Sequence, residues 1–128
     1  MAASWQFRGG LLVVTEEGVT SNDELERVFV SEALSDPRAR PGLSVLWDAR
    51  GSETPLSSED FAWRVDVLRS LAARGLLSSL ALLVRAGHVG LTADLGRQMA
   101  AAVQPLRFDA FDEESKALAW LSEGTSPD

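Results

Sequence analysis

Glu16, Glu17, Asp48, Arg50, Ser57, Arg85 and His88 are the side chains whose types could do chemistry together, on loops that follow parallel strands and gather at one sheet edge. A serine, the only histidine and an aspartate gathered on one rim would supply a nucleophile, a base and a carboxylate to orient it. Ser57, however, stands in PLSSEDF, where a helix opens. It is not in the Gly-x-Ser-x-Gly elbow that presents a nucleophile. Its position suits a cap, accepting from a first-turn amide with Asp60 as partner. Arg50 and Arg85 form a candidate anion pair near helix N-termini. The competing reading is a surface ion pair with Asp48 or Glu17, which contributes little to stability. His88, in AGHVG, reads as a loop residue beside a helix start.

Metal binding finds less support still. One histidine, no cysteine and scattered carboxylates offer no ligand pair at helical or hairpin spacing. Glu16-Glu17 reads as a solvated turn, and Asp112-Glu113-Glu114 as favourable charge at a helix start. GHVG at 87–90 lacks the Gly-Lys-Ser/Thr ending of a P-loop and the third glycine of a dinucleotide site. No catalytic, cofactor-binding or metal-ligating residue is therefore expected, and the chain reads as a non-enzyme.

The elements that must position these residues belong to one domain. The chain has 128 residues, enough for a single substantial core. Its formal charge of −7 opposes nucleic acid and anionic lipid, so no nucleic-acid partner is expected and charge gives no support to peripheral membrane contact. MAASWQFRGG lacks the basic start and apolar stretch of a signal peptide. LALLV at 80–84 is far too short to span a bilayer. The absence of cysteine excludes disulfides and fits a reducing cytoplasm, the expected compartment.

Turn signals divide the chain into alternating short and long pieces. A strand over Ser4–Arg8 turns at Gly9-Gly10 into Leu11–Thr15. Ser21 with Glu24 three residues on is a capping-box signature, and the helix after it sets Leu25, Val28, Phe29 and Ala33 on one face until Asp36-Pro37 stops it. The strand Leu43–Trp47 follows, then a helix from about Ser57 with Phe61, Val65, Leu68 and Ala72 inward, ending at Gly75. Next come the strand Leu80–Val84, a helix from about Val89 closed by Pro105, the strand Leu106–Phe111 and a helix over about Asp112–Glu123. The domain is placed at 1–123, with a disordered tail at 124–128. Strand–helix alternation predicts an α/β fold: a mostly parallel five-stranded sheet, its first strand antiparallel, with four helices. Leu11–Val14, Leu43–Trp47 and Leu80–Val84 are apolar on both faces apart from Ser44, so they should be covered on both sides. Arg107 and Asp109 alternate with apolar neighbours, which suits an edge strand.

LLVVTEEGVTSNDEL near the start, LSVLWDAR in the middle, and GLTADLGRQM followed by LRFDAFDEESKALAWL carry a resemblance over nearly the whole chain. The sequence resembles the SpoIIAA-like branch of the STAS/CRAL-TRIO group, the anti-sigma-factor-antagonist-like domains. The resemblance implies a small non-enzymatic interaction or regulatory domain. It also implies two alternatives: an apolar-ligand or lipid-binding module of CRAL-TRIO type, or an antagonist switched by phosphorylation where the second helix begins. The antagonist pattern Asp-Ser-Ser-Gly falls on Leu56-Ser57-Ser58-Glu59, which makes Ser57 and Ser58 candidate phosphoacceptors. Its flanking Asp and Gly are replaced here, and Glu59 and Asp60 would repel a phosphate.

Trp47 lies on a central strand and is expected in the core. Trp63 falls off the stripe of its helix, and Trp120 sits on the short last helix. With Leu91, Leu95 and Met99 they form the candidate apolar pocket or interface, in which the third helix would act as a lid over several hundred Å³. Doubly apolar strands and the off-stripe Trp63 lead to an expected homodimer. A protein partner or a small apolar ligand completes the list of expected partners.

Overall fold

The glycine pair at 9–10 sets the first turn. Gly9 has φ 61, the left-handed conformation that a two-residue hairpin turn needs at its first central position. It joins β1 (Ala3–Arg8) to β2 (Leu11–Gly18) in antiparallel register, with Arg8 opposite Leu11. β3 (Leu43–Ser52), β4 (Leu77–Leu83) and β5 (Arg107–Phe111) add in parallel, giving the sequential order β1-β2-β3-β4-β5. β5 takes the edge expected for it. This computed structural model describes residues 3–53, 58–85, 98, 101–103 and 106–123.

Ser21 caps α1, which opens at Asn22–Leu25, by accepting from the Glu24 amide at 3.1 Å. The Glu24 carboxylate does not complete the reciprocal box. It accepts from the Ala3 amide at 2.7 Å and so fastens the helix start to β1. α1 is α-helical over Asn22–Leu25 and continues as a π-helix over Glu26–Ala33, with the Leu34 amide bonded to the Phe29 carbonyl at 3.0 Å. The wider turn is compatible with apolar residues four apart, and Leu25, Phe29 and Ala33 are all buried. α2 (Ser58–Ala73) buries Val65, Leu68, Leu71 and Ala72. Each fully buried leucine there stabilises the fold by about 2 kcal/mol. α2 ends in a Schellman turn: Gly75, at φ 75, donates to Ala72 and Leu76 donates to Leu71, both at 3.0 Å.

Sequential strand order with right-handed crossovers puts the crossover helices on one face. α1 and α2 accordingly share a core with Leu12, Val14, Val45, Trp47 and Leu80. The opposite face carries Val13, Leu46, Ala81 and Leu83, covered by Ala117 and Leu121 of α3 (Glu114–Glu123). Both faces are thus apolar, as the strand composition required. Among the described residues three helices are delimited, and Gln98, Ala101 and Ala102, within the span of the fourth expected, are helical as well. The helix expected from about Val89 to Pro105 lies almost wholly outside the described residues, as does the tail at 124–128.

Candidate functional site

β2, β3 and β4 bring their C-terminal ends to one edge of the sheet, the usual place for a site in an open α/β fold. Asp48 and Arg50 meet there. Arg50 Nε donates to Asp48 Oδ1 at 2.9 Å and Nη2 to Oδ2 at 2.8 Å, a bidentate pair. This hydrogen bond holds the Asp48 carboxyl below its ordinary range, against the partial burial that would raise it. Arg85 donates from Nε to the Arg50 carbonyl at 2.7 Å and from Nη2 to the Ser52 carbonyl at 3.0 Å. Asp48, Arg50 and Arg85 thus meet at the end of β3. Their forks are occupied by protein acceptors, and they pin the end of β3 rather than present an open anion site.

That end of β3 needs pinning because it is irregular. Thr15 pairs with Asp48 but Glu17 pairs with Gly51, so β3 carries an extra residue between them. Gly51 fits under this bulge because it has no side chain: a Cβ there would stand 3.1 Å from Glu17 Cγ and 3.3 Å from the Glu16 carbonyl oxygen.

Glu16 was expected in a solvated turn with Glu17. β2 instead continues to Gly18, paired with β1 as far as Glu16 and with β3 through Glu17 and Gly18, and the Glu16 side chain is buried. Glu17 is exposed, whereas Glu16 is only 1% exposed. Its Oε2 accepts from the Trp47 indole Nε1 at 2.6 Å, and its Oε1 lies 3.5 Å from Arg64 Nη2. Burying a carboxyl is tolerated because a donor and a cation meet it.

Trp47 and Arg64 also border a cavity of about 90 Å³ between the sheet and helices α1 and α2. Phe29, Trp63, Val67, Leu80, Leu82 and Phe108 supply apolar walls. Phe29 stands edge-on to Trp47 with centroids 5.1 Å apart. Trp63, off the main stripe of α2, is half-buried and lines this cavity, so its position is explained within the chain. Trp120 is elsewhere, on the other face of the sheet, with the Arg107 guanidinium 4.3 Å from its ring centroid and Phe111 at 5.6 Å. The two tryptophans thus do not share a site. Ser57, His88, Leu91, Leu95 and Met99 lie outside the described residues, and α2 begins at Ser58.

A second, open groove of about 510 Å³ lies at the opposite end of the strands, beside Gly9, Gly10 and Pro41. Its Arg38 is committed to Asp36 through Nε and Nη2 at 2.9 and 3.0 Å and lies over the Phe7 ring. Among the described residues no cluster of histidine, aspartate or glutamate could hold a metal ion, and no helix is long and apolar enough to cross a membrane.

Arg64 was not singled out from the sequence, and Glu16 was placed at the rim only as a solvated turn residue. The signal was present in the alternation Leu12, Val14, Glu16 along β2, beside a strand bearing a tryptophan whose indole N–H needs an acceptor.

No protein-family model and no curated protein matches the chain. Among solved structures, it is similar to an uncharacterized protein of the DUF3478 family from Shewanella loihica PV-4, whose crystal structure has a SpoIIAA-like fold. The TM-score is 0.64 at 20% sequence identity, and the alignment covers 94% of this chain and 92% of the other. With its hairpin start, parallel strands and helices on both faces, the chain has a SpoIIAA-like fold.

Proposed function

We propose that the chain is a non-enzymatic, STAS-like interaction and regulatory domain of the cytoplasm whose input is a small apolar ligand held between α1, α2 and the sheet. The observation that carries this reading is the cavity lined by Trp47, Trp63 and Phe108, with Glu16 and Arg64 beside an otherwise apolar wall. Ligand sites of this kind combine apolar walls with a few polar groups that fix orientation. At about 90 Å³ the cavity suits a small molecule or one end of a larger one. The committed rim pairs of Asp48, Arg50 and Arg85 favour a binding role over chemistry at the sheet edge.

Native mass spectrometry of the purified protein tests this reading, together with tryptophan fluorescence during extraction with organic solvent. A co-purifying small apolar compound whose removal alters the emission of Trp47 and Trp63 supports it. An unliganded mass, with emission indifferent to added apolar compounds, overturns it.

Control by phosphorylation is the second reading, favoured by the start of α2 at Ser58, where a phosphate would gain from the helix dipole. Ser57→Asp and Ser58→Asp, assayed separately for ligand and partner binding, test it; no change in either leaves only the cap. The homodimer is tested by sedimentation at micromolar concentration, where a clean monomer removes it.

A further inference from the structure

Arg64 differs from Arg38 and Arg50, which each grip a carboxylate through two nitrogens. In Arg38, Nε and Nη2 reach the two oxygens of Asp36 at 2.9 and 3.0 Å. In Arg50 they reach those of Asp48 at 2.9 and 2.8 Å. In Arg64, Nη2 stands 3.5 Å from Glu16 Oε1, and Nε is buried with no acceptor among the described residues. Its side chain is 17% exposed and forms part of the cavity wall. A buried N–H left without an acceptor costs free energy; Nε is covered too closely for a water-sized atom to touch it, so an incoming oxygen would recover that cost as the guanidinium turns toward the cavity.

The surroundings select the kind of oxygen. Glu16 already sets a carboxyl beside the guanidinium, at 1% exposure. A ligand carboxylate would add a second anionic group beside Glu16 and lose its hydration against apolar walls. An uncharged carbonyl oxygen accepts the same hydrogen bond without that cost. The cavity is partly open, and its volume of about 90 Å³ seats only a few carbon atoms of a ligand, since a cavity of about 150 Å³ is one that admits benzene.

We propose that the cavity takes a small apolar molecule, or the end of one, that bears an uncharged carbonyl oxygen, and that the Arg64 Nε–H donates to that oxygen. This proposal rests on the cavity being the ligand seat, as proposed above.

The probes are 2-butanone, its hydrocarbon isostere 2-methyl-1-butene, and butanoate, titrated into the ¹⁵N-labelled full chain and followed by NMR. The indole N–H signals of Trp47 and Trp63 report occupancy of the cavity, and the Arg64 Nε–H signal reports the hydrogen bond. With 2-butanone all three signals are expected to move together, and with 2-methyl-1-butene only the indole signals. In Arg64→Met the ratio of ketone to alkene affinity should fall about tenfold or more, a ratio in which the different hydration of the two probes cancels.

If indole signals move with both probes while Arg64 Nε–H stays fixed with the ketone, the carbonyl proposal is overturned and the ligand seat stands. An unchanged ratio in Arg64→Met has the same meaning. Butanoate binding more tightly than 2-butanone overturns the choice of an uncharged oxygen. If no probe moves either indole signal, both the seat and the carbonyl proposal fall. Should Arg64→Met not fold, the wild-type Arg64 Nε–H response decides alone.

Discussion

Replacing Trp47 by phenylalanine removes one donor from the interior and little else from the ring's position. Glu16 Oε2 would lose its 2.6 Å partner at a site 1% exposed, with Arg64 Nη2 3.5 Å from the other oxygen as the nearest remaining help. A hydrogen bond to a charged group contributes about 1.5–3 kcal/mol, and an unsatisfied buried acceptor costs a similar amount. Trimming the indole to a phenyl adds about 1 kcal/mol of lost burial, while the edge contact with Phe29 is largely kept. Trp47→Phe should therefore destabilise the fold by about 3 kcal/mol, lowering Tm by roughly 10 °C for a chain of this length. Urea unfolding measures it, with an unchanged slope expected because the fold stays the same. The cycle with Glu16→Leu isolates the bond: the double variant should show a coupling of about 1–3 kcal/mol. A coupling below about 0.3 kcal/mol would refute the claim that the indole N–H is what makes the buried Glu16 tolerable.

The Asp36 carboxyl is lowered from 3.8 to about 2, chiefly by the Arg38 side-chain hydrogen bond, so its titration followed by NMR should have a midpoint near 2 and return toward 3.8 in Arg38→Ala. Because the folded value is depressed, the stabilisation it brings is complete above the ordinary value of 3.8 and is lost as pH falls toward 2. Ser21→Ala removes the cap on the Glu24 amide and should cost about 1 kcal/mol in urea unfolding. Gly51→Ala places a methyl 3.3 Å from the Glu16 carbonyl oxygen and should destabilise by about 1 kcal/mol, read in the same assay.

Periodicity made the strands and the buried faces of α1, α2 and α3 legible, because a buried stripe must repeat with the period of its element. Strand–helix alternation made the parallel sheet legible, and the alternation of Arg107 and Asp109 with apolar neighbours marked the edge strand. The pairing of Asp48 with Arg50 was within reach as well, as one of the readings of the rim. Glu16 was not, since an acidic pair before a glycine looks like a turn unless the partner strands are known. Whether β2 stops at Thr15 or runs to Gly18 depends on β1 and on a bulge in β3, both non-local. The π-helical continuation of α1 likewise leaves the apolar stripe intact and so leaves no mark in its pattern. Trp63 could be placed off the stripe, but that the space beneath it belongs to this chain's own cavity emerges only from packing.

A crystal structure of the protein under xenon pressure tests the ligand seat most directly, because a dry apolar cavity takes up xenon where a polar, hydrated one does not. Xenon density between Trp47, Trp63 and Phe108 is the predicted result. Ordered waters filling that space, or side chains closed over it with no xenon bound, would contradict it.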